Sequence, residues 1–158
     1  MWNKIKPYII SILIALGVGG LSALVTRGNM DIYEKIIPPP LAPPGFLFPI
    51  VWTLLYTLMG ISSARIYLEG KEGNKLSPDA LKIYALQLVV NFFWSIIFFN
   101  LEAFLFAFIW ILLLWVLIIV MIRKFYAIDP LAAWLQVPYL LWVSFAAYLN
   151  LAIYILNR

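Results

Sequence analysis

The chain has 158 residues, of which 65% are hydrophobic and 11% charged, with a formal net charge of +4. Soluble domains carry about half apolar and about a quarter charged residues, so a water-soluble globule is excluded and lipid is the solvent that fits. Cysteine and histidine are both absent, which excludes disulfides, thiolate or imidazole metal sites, His- or Cys-ligated haem, and Ser–His–Asp or Cys–His catalysis.

Five helical spans of about 20 residues would use most of this length. The expectation is an all-α integral membrane protein, a bundle of five transmembrane helices forming a single domain over 1–158. The first span is expected at about 8–25, after Lys4 and Lys6. It is long for the apolar segment of a signal peptide, and no small-residue cleavage site follows it. Ala15, Gly19 and Ala23 recur at four-residue spacing, a pattern that lets helix backbones approach closely in lipid.

The segment 26–45 is predicted as a loop. Pro38, Pro39, Pro40, Pro43 and Pro44 fall within seven positions. Each lacks an N–H and clashes with a preceding helical turn, so this stretch is extended and stiff, suited to a lid over the bundle. The second span is expected at 46–67, with Pro49 in its first turn. A charged loop follows, and Ser77-Pro78-Asp79 reads as a cap and helix start. The third span is expected at 80–99 and the fourth at 103–122. The fifth, at 131–156, starts after Asp129-Pro130 and is interrupted at Pro138.

Charge asymmetry predicts the topology. The N-terminus and the second and fourth loops share one side of the membrane and hold eight Lys and Arg residues, against three on the other side. By the positive-inside rule the N-terminus is cytoplasmic and the proline loop lies on the far side. The basic excess therefore belongs to loops and lipid headgroups, and nucleic acid is not an expected partner.

Polar residues in lipid turn toward the bundle interior. At 100° per residue, Trp52, Tyr56, Met59 and Ser63 of the second span fall within about 60° of arc. Gln87, Asn91, Trp94 and Ser95 share a face of the third span, and Tyr139, Trp142, Ala146 and Asn150 share a face of the fifth. Three aromatic and amide stripes facing one another suit a cavity for a planar, mostly apolar ligand. The fourth span has neither amide nor charge and reads as a lipid-facing wall, with Trp110 and Trp115, like Trp2 and Trp134, assigned to interfacial belts. Ala103 and Ala107 on that span are candidates for contacts between copies. No span carries Asp, Glu, Lys or Arg at its middle, which disfavours an ion-coupled transporter.

The proline loop followed by Val51-Trp52-Thr53 and Leu55-Tyr56 resembles the PP-x-x-PP…VW-x-x-LY signature of the TspO/MBR family. Asn91-Phe92-Phe93-Trp94-Ser95 with Phe98-Phe99 is similar to its N-x-x-W-S-x-x-FF segment. Pro138-Tyr139 through Trp142, Phe145-Ala146 and Leu149-Asn150 is similar to its PY-x-x-W-x-x-FA-x-x-LN segment. Leu41 departs from the family, standing where Trp is usual. The resemblance implies a bacterial cell-membrane protein, a homodimer, and a pocket under the first loop for porphyrins and benzodiazepine- or isoquinoline-type ligands. Carried over by position, the pocket residues are Tyr33, Pro43, Trp52, Tyr56, Gln87, Asn91, Trp94, Trp142, Ala146 and Asn150. The family's loose sterol pattern falls on Leu151, Tyr154 and Arg158.

The implied function is a receptor or carrier of protoporphyrin-like tetrapyrroles, stacked on Trp52 and Trp142 with Asn91 and Asn150 bonding polar edges. No cofactor is required, and porphyrin enters as ligand or substrate. Two alternatives stand beside it. One is light- and oxygen-dependent degradation of protoporphyrin, with Trp52 and Trp142 as candidate catalytic residues. The other is a ligand-sensing regulatory scaffold.

Overall fold

A computed structural model describes residues 1–29 and 31–158, with the side chain of Tyr33 also outside the described residues. Within them the chain is all α-helical, with no strands. In a bilayer each backbone N–H and C=O must be satisfied within the segment, and uninterrupted helices do this. Five helical stretches are long and apolar enough to span a membrane, and the chain is an integral, multi-pass membrane protein.

Helix α1 runs Trp2–Thr26 and ends in a tight turn, Arg27–Asn29. It starts well before the expected position 8, because Lys4 and Lys6 lie in its first turns, exposed beyond the apolar stretch. The loop contains a four-residue helix, α2 (Ile32–Lys35), and then the prolines. Helix α3 spans Leu47–Lys71 and α4 spans Ser77–Ser95, continued by a π-helical turn, Ile96–Asn100. Helix α5 covers Phe104–Tyr126. The fifth crossing is divided into α6 (Pro130–Leu135) and α7 (Val137–Asn157).

Two helix starts depend on different residues from those expected. Leu76 is the N-cap of α4, and Ser77 lies inside the helix with its hydroxyl buried and unpartnered. Ser77 instead packs on Gly70, where a β-carbon would stand 2.9 Å from Ser77 Cβ. In the fifth crossing the break falls at Gln136 (φ −91°, ψ −10°), ahead of Pro138. Pro138 lies in the first turn of α7, where a missing N–H breaks no helical bond. Asp129 does cap α6, accepting from the Leu131 N–H at 3.3 Å, and it pairs with Arg65 of α3.

Helix α1 packs mainly on α3, α3 also on α4 and α6, and α5 on α4, α6 and α7. The fourth span is a wall with two sides: Leu105, Ile109, Leu112 and Val116 are exposed on the outside, and the inside is packed against the bundle. Ala107, Ile111, Leu114, Ile118, Met121 and Phe125 form a fully buried stripe along α5, at the three- and four-residue spacing of a packed helix face. Ala107 faces the bundle and is not available to a second copy. The indole of half-buried Trp110 donates to the Val90 carbonyl at 2.7 Å, whereas Trp115 stays exposed with its indole donating to Ser144 Oγ at 2.8 Å. Trp2 and Trp134 are exposed.

At one end of the bundle α3 is clamped to α6 by the Arg65–Asp129 pair and by Ser62 Oγ donating to the Ala132 carbonyl at 2.7 Å. Toward the proline loop α7 packs on α5 and leaves space between itself and α3. That space is the cavity.

Candidate cavity beneath the proline loop

The cavity has a volume of about 770 Å³, in the upper part of the range for small-molecule and cofactor sites. Residues of α1, α3, α4 with its π-helical turn, and α7 form its walls, and the proline loop forms its roof. No residue of α5 lines it. Pro38, Pro43 and Pro44 contribute from the roof, which is stiff because proline fixes φ.

The roof is tied to α7 at two places. Asn157 accepts from the Ile37 N–H at 2.8 Å and donates back to the Ile37 carbonyl at 3.2 Å. Tyr148 Oη donates to the Pro40 carbonyl at 2.7 Å. The near edge of the loop is held by Asn29, whose amide donates to Asn100 Oδ1 at 2.8 Å. Leu41 takes a left-handed backbone (φ 69°) and is 81% exposed. It points away from the cavity rather than sealing it.

Of the residues expected at the site, Pro43, Trp52, Tyr56, Asn91, Trp94, Trp142, Ala146 and Asn150 line the cavity. Tyr33 lies on α2, and its side chain falls outside the described residues. Gln87 does not line it. Gln87 is fully buried one helical turn away, where its Oε1 accepts from Tyr139 Oη at 2.6 Å. Tyr139 Oη in turn accepts from Asn91 Nδ2 at 2.9 Å, and Tyr56 Oη donates to Asn91 Oδ1 at 3.4 Å. This four-residue network joins α3, α4 and α7 beneath the cavity, and only Tyr56 and Asn91 of it reach the lining.

The second amide is engaged in the same way. Asn150 Oδ1 accepts from the Trp94 indole at 3.0 Å, and its Nδ2 donates to the Phe104 carbonyl at 2.8 Å. Asn91 and Asn150 thus tie helices together while also lining the cavity. An amide left unpaired in an apolar interior is costly, and these two avoid that cost with protein partners.

Seven aromatic residues face the cavity, beside prolines, small and aliphatic residues, Thr26, Ser95 and Glu34. Trp52 leans on Tyr56 (ring centroids 5.5 Å apart) and meets Tyr139 edge-on at 6.3 Å. Trp94 stacks on Phe98 at 5.1 Å, and Trp142 meets Phe48 edge-on at 5.7 Å. The Trp142 indole N–H is buried with no partner.

Sequence reasoning missed several lining residues. Phe98 and Phe99 were visible in the quoted motif, and Gly19 and Ala23 in the small-residue stripe of α1. Glu34 carried no signal, since a loop carboxylate has no periodicity to place it. Leu151, Tyr154 and Arg158 do not line the cavity; Leu151 and Arg158 are exposed and Tyr154 is half-buried. Among the described residues no cluster of acidic groups could hold a metal ion.

Comparison with known proteins agrees with this architecture. The model of the TspO/MBR family matches residues 10–156. The tryptophan-rich protein TspO of Chlorobaculum tepidum is 36% identical over 148 residues, covering 94% of this chain and 92% of the relative. Protein CrtK of Rhodobacter capsulatus is 36% identical, covering 88% and 85%. The translocator protein of Bos taurus is 33% identical, covering 89% and 83%. With a family match spanning nearly its whole length, the chain belongs to the TspO/MBR family.

Proposed function

We propose that this protein binds flat, largely apolar ligands of the tetrapyrrole class in the cavity under the proline loop. The observation that carries the reading is the lining. Indoles from three helices, Trp52, Trp94 and Trp142, surround a space of about 770 Å³, and the amides beside them are already committed to one another's helices. Recognition in such a site rests on shape and aromatic contact, with few directional bonds. It therefore admits a family of planar rings, benzodiazepine- and isoquinoline-type ligands among them. Relatives named translocator protein and tryptophan-rich protein are consistent with a ligand-handling role. With no His or Cys in the chain, a metal-free porphyrin fits this chemistry better than haem. The basic loops orient the N-terminus to the cytoplasm, so the roofed end of the cavity faces outward.

Titration of the purified protein with protoporphyrin, read by quenching of tryptophan fluorescence and by the porphyrin absorption band, tests the reading. Replacing Trp52 and Trp142 together by Phe is expected to weaken binding about tenfold, from the loss of two large aromatic contacts. Equal affinity in the double variant would refute stacking on these indoles. Illuminating the complex with and without oxygen then separates binding alone from oxidative breakdown of the ring.

A further inference from the structure

Among the described residues lining the cavity, one side chain is charged: Glu34 of α2, in the roof, which is also exposed to solvent. Among the described residues no Lys or Arg lines the space. The cation next along the chain, Lys35, is engaged elsewhere, with its Nζ 3.2 Å from Asp31 Oδ2. Among the described residues Glu34 has no ion-pair partner. The other polar groups offer little to offset a charge. Asn91, Asn150 and the Trp94 indole are bonded to protein, and the Trp142 N–H is shielded within the wall.

We propose that Glu34 is a specificity-determining residue, a charge filter that disfavours a carboxylate at the roofed end of the cavity and favours a neutral or cationic edge there. This rests on the reading of the cavity as a planar-ligand site. Glu34 sits at the solvent-exposed rim of the roof, so its charge acts through a partly screened setting, and a ligand anion held against the roof meets a modest repulsion from it that no lining cation relieves. The two propionates of a protoporphyrin lie on one edge of the ring. The filter therefore turns that edge away from α2 and sets the ligand's orientation. It also makes the site discriminate among rings of identical shape by peripheral charge, which the aromatic walls cannot do.

The test uses the full-length protein in neutral detergent and three porphyrins with the same ring: protoporphyrin IX, its dimethyl ester, and a derivative whose propionates end in ammonium groups. Wild type is expected to bind the ammonium derivative and the diester more tightly than the diacid. In E34Q the affinity ratio of ammonium derivative to diacid should fall by about fivefold, the scale of one partly solvated charge interaction. The wild-type ratio should also shrink in 1 M salt, where screening shortens to about 3 Å. E102Q removes a carboxylate from the same end of the bundle but outside the lining, and should leave the ratio unchanged. An unchanged ratio in E34Q, a wild-type preference for the diacid, or an equal effect of E102Q overturns the filter while leaving the cavity a porphyrin site. Failure of all three porphyrins to bind wild type overturns the cavity reading itself, and the filter with it.

Discussion

Tyr56 lays its ring across Gly19, so closely that a β-carbon on Gly19 would stand 2.5 Å from Tyr56 Cε2 and 2.6 Å from Cδ2. The first span thus meets the Tyr56 ring at a glycine, because any side chain there would occupy the space of the ring. Tyr56 in turn touches Trp52 and bonds Asn91. Gly19→Ala should displace the ring, disturb both neighbours and weaken porphyrin binding several-fold. Gly20→Ala is the control, since nothing lies within 4 Å of a β-carbon there. Its affinity should match wild type in the same fluorescence titration.

A second close approach has no flexible partner. At Gly60 on α3 a β-carbon would stand 2.5 Å from Ile12 Cα and 2.8 Å from Ile12 N. These are backbone atoms of α1 and cannot rotate aside. Gly60→Ala must push the two helices apart, with a cost of about 1–3 kcal/mol typical of overpacking. Thermal unfolding in detergent should show a clear fall in Tm for Gly60→Ala and little change for Gly17→Ala, where the surroundings are open.

These two glycines show how much of the molecule was legible in the sequence. The helices were, because lipid allows few other backbones, and so were the inward stripes, because periodicity reports which residues share a face. Periodicity is silent on depth along that face and on what a polar group does once inside. Gln87 and Asn91 lie on one stripe, yet only Asn91 reaches the cavity. Both amides were expected at the ligand site, and both are hydrogen-bonded to residues of other helices. The stripe of Ala15, Gly19 and Ala23 indicated close packing on α1, but the tightest backbone contact is made by Gly60 of α3, alone among bulkier neighbours. Trp110 reads as an interfacial residue by type and is a helix tie by geometry.

The network beneath the cavity gives a third expectation. Tyr139 Oη donates to Gln87 and accepts from Asn91, and Gln87 Nε2 is already without a partner. Tyr139→Phe leaves the whole Gln87 side chain unpaired in a dry interior, at a cost of about 1–3 kcal/mol. Adding Gln87→Leu removes the stranded amide, so the double variant should recover part of the loss. Unfolding of wild type, both single variants and the double variant forms a cycle, and strict additivity would contradict the pairing.

The roof predicts a kinetic effect. Asn157 makes two hydrogen bonds to Ile37, and Tyr148 one to Pro40. Each is worth about 0.5–1.5 kcal/mol. Asn157→Ala should loosen the loop without touching the aromatic walls. Ligand dissociation should speed up by about tenfold in stopped-flow measurements, and Tyr148→Phe should give a smaller increase. Unchanged dissociation rates in both would mean that ligand leaves by a route other than the roof.

Trp142 combines a wall position with an unspent polar group. Its indole N–H is buried without a partner, a burden of about 1–3 kcal/mol in an apolar setting. Its ring meets Phe48 and Phe145 at 5.7 and 5.6 Å. Trp142→Phe deletes the stranded donor and retains much of the aromatic packing. The two effects on stability oppose one another, lost ring area against relief of the unpaired N–H, so Tm should stay near wild type or rise. Ligand affinity has no such compensation, because the smaller ring offers less surface to a planar ligand, and it should fall by a factor of about three to ten. Leu at position 142 is the useful contrast, keeping an apolar side chain without a flat face; it should lose more affinity than Phe. A residue kept only for packing would show affinity and Tm falling together. Separation of the two measurements, with Tm held and affinity lost, would assign Trp142 to the ligand.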